Sequence, residues 1–189
     1  MEKESDAQAE KTELTQNEKS IILSLLKKVG RKETGKEVFE ALWKILPVIP
    51  FELAVVRRIG GEPRVLMWYR DDEHYKGWHM PGGYLLYGES DWEAASRVLK
   101  KETGLILKST EFIRHFNTRP ATSLVPAHQI ALFFYCQADG DPSHGDFFSI
   151  EKPPKDTLDQ HKKYIEYLRA YLLQKSLRAK RKLDLRPEE

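Results

Sequence analysis

The chain has 189 residues, a length typical of one domain with a short appendage. Its 31 Lys and Arg residues nearly balance 29 Asp and Glu residues, and the formal net charge of +2 argues against a surface devoted to nucleic acid. A lone cysteine, Cys136, excludes an intrachain disulfide framework and any zinc site built from several cysteines.

The sequence contains no apolar run long enough for a membrane span, for which about 18 residues are needed. Residues 1–20 also lack the apolar stretch of a secretory signal. We therefore expect a protein of the reducing cytoplasm that has no membrane partner.

Residues 1–48 are predicted to precede the main domain. Residues 1–15 are polar and mixed in charge, which is typical of a disordered tail. Residues 16–48 are predicted to form a helical extension that could pair two copies in a homodimer. Its first helix begins at Thr15 or Asn17 and ends at Gly30, and its second ends at Pro47.

Residues 49–175 are predicted to form the main domain, because the pattern changes from helical to strand-like at Phe51. The runs 51–59 and 65–69 are rich in β-branched and aromatic residues, and a Gly-Gly turn separates them. They predict a hairpin of two antiparallel strands.

A helix is predicted over residues 90–103, because Ser90 and Glu93 match a capping box and Gly104 follows as a terminator. Further along the chain, strands are predicted over residues 105–116 and 127–137, and a helix over residues 157–183. Residues 176–189 form a basic tail, in which the Lys and Arg run is more typical of a helix end than of a nucleic-acid site. The alternation predicts the α/β (α+β) class, with a sandwich around a mixed sheet.

One segment of the main domain carries a motif with fixed spacing. The residues that make up this motif are Pro81, Gly82, Gly83, Glu89, Arg97, Leu99, Glu102, Gly104 and Leu105. This pattern resembles the Nudix box. The resemblance extends over roughly residues 50–170 and implies a Nudix-type α/β/α sandwich with a mixed β-sheet, here with the N-terminal helical extension. It also implies hydrolysis of a nucleoside diphosphate linked to another group.

The residue types of the motif suit phosphate chemistry. Glycines let a backbone approach a diphosphate and a metal closely, and a helix presents carboxylates four residues apart on one face. Oxygen ligands of this kind suit Mg²⁺ or Mn²⁺. We therefore expect a magnesium or manganese cofactor and a small nucleotide substrate.

Two positions depart from the Nudix box. Val98 and Lys101 stand where the family has glutamates, so that Glu102 is the remaining helical carboxylate. We expect one divalent ion at most, with Glu102 as its ligand; the alternative is a carboxylate on the helix surface. Glu89 and Arg97 are interpreted as an ion pair between loop and helix, with a metal role for Glu89 and a catalytic role for Arg97 as the alternatives.

GDP-mannose mannosyl hydrolases, a branch of the Nudix family, have similar losses. The resemblance implies a metal site made by the Gly82 carbonyl, Glu102 and Gln160, with His161 as the general base for attack at a sugar carbon. The remaining candidate residues are expected to bind substrate: Arg70, Tyr84 and His115. The alternative for Gln160 and His161 is an ordinary packed or surface position on the last helix.

Two other functions stay open from the sequence. The missing carboxylates are compatible with a catalytically weak or inactive Nudix module that binds nucleotides or regulates a partner. An ordinary nucleoside diphosphate-X pyrophosphatase could instead use a rearranged metal set, made by Glu89, Glu102 and Glu151.

Overall fold

The computed structural model describes residues 13–29, 35–72, 75–120 and 127–184. Nearly all of the predicted disordered tail and the predicted stop at Gly30 lie outside these residues. None of the described helices combines the length and the apolar character needed to span a bilayer. The elements in chain order are α1 (Gln16–Val29), α2 (Lys36–Trp43), β1 (Pro50–Ile59), β2 (Glu62–Asp71), β3 (Lys76–His79), β4 (Gly82–Tyr84), α3 (Asp91–Thr103), β5 (Ile106–Thr118), β6 (Gln129–Asp139), β7 (Asp146–Ser149) and α4 (Asp159–Asp184).

The strands form a mixed sheet in the order β3-β2-β1-β6-β5, with β4 paired to β1 and β7 paired to β2. The central pair β1–β6 is parallel, and the hairpin predicted from the Gly60-Gly61 turn is the antiparallel pair β1–β2. The three short strands β3, β4 and β7 were not predicted; their three or four residues are too few to show a period, and their partners are distant in sequence.

The two faces of the sheet form separate cores, which confirms the α/β/α sandwich. Phe51, Leu53 and Val55 of β1 pack in the cluster that contains the buried residues of α3. Ala54 and Val56, which alternate with them, pack in the cluster that contains Tyr164 and its neighbours on α4. Because strand side chains alternate between faces, β1 contributes to both cores.

Helix α3 has the ends that its sequence predicts. The Ser90 hydroxyl accepts a hydrogen bond from the Glu93 amide, and the Glu93 carboxylate accepts one from the Ser90 amide at 2.8 Å. Gly104 ends the helix in the left-handed conformation, with φ of +73°. These two caps fix the length of the segment that holds the motif.

The two N-terminal helices differ in how they pack. Thr15 caps α1, since its hydroxyl accepts from the Glu18 amide, but the large apolar side chains of α1 are exposed. In α2, by contrast, the Phe39 ring contacts the Tyr84 ring at 4.7 Å between centroids. The extension therefore contributes α2 to the wall of the domain.

Candidate active site

A cavity of about 700 Å³ opens among β1, β4, α2, the end of α3 and the start of α4. It brings together six of the residues that the sequence predicted for the site: Arg70, Gly82, Tyr84, Glu102, Gln160 and His161. These residues are separated by up to 91 positions along the chain (161 − 70), so the fold and not local sequence assembles the cavity.

The paired glycines of the motif make two close approaches. A Cβ at Gly82 would lie 2.8 Å from the Glu52 carboxylate, and a Cβ at Gly83 would lie 3.0 Å from a methyl group of Val98. The register of β4 on β1 pairs Gly82 with Glu52. One glycine therefore makes room for a carboxylate and the other lets the strand rest on α3.

The three helical positions of the motif point to different surroundings. Val98 is 1% exposed and belongs to the core, which agrees with its interpretation as a packing residue. Lys101 is exposed, while Glu102 is half-buried at the cavity. Burial raises the pKa of the Glu102 carboxyl, with Lys101 and Arg70 opposing the shift.

Glu52 is a site residue that the sequence reasoning missed. It lines the cavity from β1, and burial raises the pKa of its carboxyl to about 8, with the charge of Glu102 adding to the rise and Arg70 opposing it. The available signal was a single carboxylate inside the apolar run from Phe51 to Val56. A charged residue there is rare in a buried strand without a functional reason.

Arg70 and Tyr84 lie on the cavity wall where a substrate could reach them. The Arg70 guanidinium forms an ion pair with Asp72 and lies over the Tyr75 ring at 4.6 Å from its centroid. Burial raises the pKa of the Tyr84 hydroxyl to about 12. Tyr84 therefore offers a neutral hydroxyl and Arg70 a cation to a ligand.

The start of α4 is held against β3 by backbone hydrogen bonds on both sides of Trp78. Its amide donates to the Asp156 carbonyl at 2.9 Å, and its carbonyl accepts from the Leu158 amide at 3.0 Å. These bonds position Gln160 and His161 at the cavity. The Gln160 amide donates to the buried Tyr164 hydroxyl.

His161 is buried, and its Nδ1 accepts a hydrogen bond from the Met80 amide at 3.2 Å. The proton therefore resides on Nε2 in this arrangement. Burial lowers the pKa of His161 to about 3, with His79 and Arg70 adding to the effect. His161 lies in the cavity as predicted, but this neutral tautomer is suited to donating a proton in a hydrogen bond and poorly suited to acting as a base.

A second histidine, His79, also lines the cavity and was missed by the sequence reasoning. Its ring packs 4.3 Å from the Trp68 ring and 5.6 Å from the His161 ring. Burial lowers the pKa of His79 to about 4. The pair therefore adds polar but uncharged groups to the wall.

Glu89 and Arg97 form the ion pair expected between loop and helix, and neither lines the cavity. Arg97 donates to the two carboxylate oxygens of Glu89 at 2.5 and 2.7 Å and to the Tyr84 carbonyl at 2.8 Å. The Leu86 amide donates to the same carboxylate at 2.9 Å. This arrangement supports a structural role for the pair, while the metal role of Glu89 and the catalytic role of Arg97 stay predictions.

Two further candidates lie away from the cavity. His115, which was expected to bind substrate, lies on β5 in a separate groove beside Tyr167 and Tyr171 of α4. Glu151 lies 3.5 Å from the Arg169 guanidinium and does not line the cavity. Of the alternative metal set of Glu89, Glu102 and Glu151, Glu102 lines the cavity and the other two residues do not.

The donor set of the cavity fits one hard cation better than several. Within residues 13–29, 35–72, 75–120 and 127–184, no three side chains of the His, Cys, Asp and Glu types are grouped as a metal site. The cavity does hold oxygen donors of the kind that Mg²⁺ and Mn²⁺ accept. They are the carboxylates of Glu52 and Glu102, the Gly82 backbone and the Gln160 side chain.

Comparisons with known proteins found relatives of this chain. A family model described as NUDIX domain matches residues 52–170. An ADP-ribose pyrophosphatase of Methanocaldococcus jannaschii is 28% identical over 125 residues, which are 62% of this chain and 73% of that protein.

Solved structures share the fold at low sequence identity. A MutT NUDIX hydrolase from Burkholderia pseudomallei has a TM-score of 0.55 and 20% identity, over 65% of this chain and 98% of that one. The NUDIX domain of Shewanella oneidensis NrtR, solved with ADP ribose, has a TM-score of 0.54 and 14% identity, over 67% of this chain and 89% of that one.

Proposed function

Because this chain belongs to the Nudix hydrolase family, we propose that it hydrolyses a nucleoside diphosphate linked to a sugar. The observation that carries the proposal is the single cavity that gathers Gly82, Glu52 and Glu102 with Arg70 and the start of α4. Nucleotide sugars and ADP-ribose both belong to this substrate class. The relative named ADP-ribose pyrophosphatase supports it.

We assign one Mg²⁺ or Mn²⁺ ion to the oxygen donors Glu102, the Gly82 carbonyl and the Gln160 amide. When bound, such an ion would neutralise charge on the diphosphate and make its phosphorus more open to attack by water. Since Val98 is buried and Lys101 faces solvent, neither position adds a ligand. The proposal therefore needs one ion and not the cluster that a full Nudix box provides.

The other residues of the cavity bind and orient the substrate. Arg70 binds diphosphate oxygens, because its positive charge acts on the carboxylates of both Glu52 and Glu102 at the cavity. His161 donates through Nε2 to an oxygen of the substrate, since Nδ1 is held by the Met80 amide. Tyr84 and Phe39, in contact with each other, form an aromatic wall against which a base or sugar can pack.

We propose cleavage within the diphosphate, at phosphorus. The state of His161 supports this choice, because attack at the sugar carbon was expected to use His161 as the base and the ring is instead neutral with its Nδ1 occupied. The name of the archaeal relative, a pyrophosphatase, supports the same bond.

The test is hydrolysis of ADP-ribose, UDP-glucose and GDP-mannose with Mg²⁺ in water enriched in oxygen-18. We expect a nucleoside monophosphate and a sugar phosphate, with the label on phosphorus. A free sugar with a nucleoside diphosphate would instead establish attack at carbon, as the resemblance to GDP-mannose mannosyl hydrolases implies. Glu102→Gln serves as the inactive control.

One observation favours a second function, a Nudix module that binds a nucleotide without turnover. The described residues contain no acidic cluster of three, which a multi-metal hydrolase would use. Calorimetry would then give tight binding of ADP-ribose, while no product would form with Mg²⁺ or Mn²⁺ over hours. Turnover of any nucleotide sugar above the rate of the Glu102→Gln variant contradicts this second function.

A further inference from the structure

We propose that Glu52 is a ligand of the divalent cation, beside Glu102. In this role it compensates for the carboxylates that the Nudix box lacks at Val98 and Lys101. The inference rests on the proposed function, which supplies the cation. It goes further because it places an acidic ligand on β1, outside the box, and so explains how a chain that keeps one of the helical box glutamates could hold an ion.

The first support is the position of the Glu52 carboxylate against the glycine pair. The antiparallel register pairs Glu52 with Gly82, and a Cβ on Gly82 would meet the carboxylate at 2.8 Å. The glycine therefore leaves the space that the carboxylate fills. The residue whose carbonyl the proposed function assigns to the ion is therefore the strand partner of Glu52.

The second support is that Glu52 and Glu102 act on one another across the same cavity. Both line it, and their charges are close enough to disfavour each other. Glu52 also lies near Tyr164, to which Gln160 donates a hydrogen bond. The three side chains that the proposal brings to the ion thus line one cavity, although they belong to β1, α3 and α4.

The third support is the absence of a protein partner for the Glu52 carboxylate. Among residues 13–29, 35–72, 75–120 and 127–184, none donates it a hydrogen bond or forms an ion pair with it, although the charge of Arg70 acts on it. The nearby cation, Arg70, instead forms its ion pair with Asp72. A half-buried carboxylate is costly to keep without a hydrogen-bond partner, and the charge of Glu102 adds to the cost. A divalent cation supplies the missing partner to both.

The test is the affinity for Mn²⁺ in the absence of nucleotide, measured by electron paramagnetic resonance of the free ion and by calorimetry. We expect Glu52→Gln to weaken binding at least about tenfold, as Glu102→Gln does. Glu151→Gln is the matched control, since its carboxylate lies outside the cavity beside Arg169. It should leave the affinity within about twofold of the unaltered chain.

A gain of affinity provides an independent measurement. Lys101 is exposed on α3, and Lys101→Glu restores one of the missing box carboxylates without a change in the core. In the Glu52→Gln background it should recover at least about threefold of the lost affinity. Glu52→Asp keeps the charge on a shorter side chain, and its affinity for Mn²⁺ should lie between those of the unaltered chain and Glu52→Gln. This variant provides the measurement if Glu52→Gln does not fold.

The outcomes separate this inference from the proposed function. If the unaltered chain binds no Mn²⁺ at millimolar concentration, the cation of the proposed function is wrong and the inference is wrong with it. If the unaltered chain binds Mn²⁺, Glu102→Gln weakens it and Glu52→Gln leaves it within about twofold, the inference alone is overturned. Equal losses in Glu52→Gln and Glu102→Gln, with a smaller than additive loss in the double variant, establish a shared ion.

Discussion

The two ends of the motif segment use their carboxylates in opposite ways. At the N-terminal end, Glu89 accepts hydrogen bonds from Arg97 and from the Leu86 amide, and Glu93 closes the helix cap on Ser90. At the C-terminal end, Glu102 faces the cavity together with Glu52, and burial raises the pKa of both. The carboxylates that accept these hydrogen bonds hold the segment in shape, and those that line the cavity are accessible to a ligand.

This contrast shows why a motif position does not by itself define a role. Glu89 and Glu102 both occupy glutamate positions of the Nudix box, yet the pKa of Glu89 is lowered by the hydrogen bonds from Arg97 while that of Glu102 is raised. The difference comes from what surrounds each carboxylate, and it can be tested by removing members of each group.

The largest expected effect is at the cavity end. Glu102→Gln should lower kcat/KM for the nucleotide-sugar substrate about 100-fold or more, because an anionic ligand of the cation is lost. Its melting temperature should not fall, since the variant also removes a half-buried charge. Steady-state kinetics with Mg²⁺ and a thermal melt of the same preparation check both parts.

The next largest effect is expected at the N-terminal end of the motif segment. Arg97→Ala should lower the free energy of unfolding by about 2 kcal/mol, because several charge-assisted hydrogen bonds are lost and Glu89 is left unpaired. Its affinity for Mn²⁺ should stay within about twofold of the unaltered chain. Denaturant unfolding beside Lys100→Ala, an exposed change on the same helix, provides the comparison. A tenfold loss of Mn²⁺ affinity in Arg97→Ala would contradict the division between the two ends.

A smaller effect is expected in the dependence of stability on pH. The folded pKa of Glu89 lies below the ordinary value of 4.5, chiefly because Arg97 donates to its carboxylate. The unfolded chain therefore binds more protons in this range, and stability present above about pH 4.5 is lost as the pH falls through the folded pKa. In Glu89→Gln the loss between pH 5 and pH 3 should be smaller than in the unaltered chain, as unfolding by urea at each pH would measure. Equal losses in the two chains would be inconsistent with the ion pair.

The smallest effect is expected at the contact between β4 and α3. Gly83→Ala places a Cβ 3.0 Å from a methyl group of Val98, and the crowding should cost about 1 kcal/mol of unfolding free energy. Val98→Ala alone should also destabilise the core, but the double variant should lose less than the sum of the two. Additive losses would show that β4 does not rest on α3 through this contact.

Much of the fold was predictable because its signals are local. The hairpin turn, the capping box at Ser90 and the terminator Gly104 are read from neighbouring residues, and the structure confirms each of them. Glu102 and the glycine pair were likewise found by their spacing in the motif. The assignment of metal and substrate roles to these residues stays a prediction.

The rest of the site depended on pairing that the sequence does not display. Glu52 pairs with Gly82 through the β1–β4 register, and β4 is too short to be predicted from a sequence pattern. His115 was expected to bind substrate because of the resemblance to GDP-mannose mannosyl hydrolases. However, β5 contains register shifts near Leu107 and Phe112, and the strand runs on the far side of β6 from β1. A resemblance in sequence does not reveal such irregularities.

The hydrogen bonds between Trp78 and the residues before α4 also bear on how the chain avoids self-association. β3 is the outer strand of its side of the sheet, and an uncovered outer strand invites pairing with another molecule. The bridge from Trp78 to Thr157, with its flanking bonds at Asp156 and Leu158, occupies backbone groups of that strand. The segment that delivers Gln160 and His161 to the cavity thus also shields the border of the sheet, so a chain that loses this contact should become prone to aggregation as well as to loss of activity.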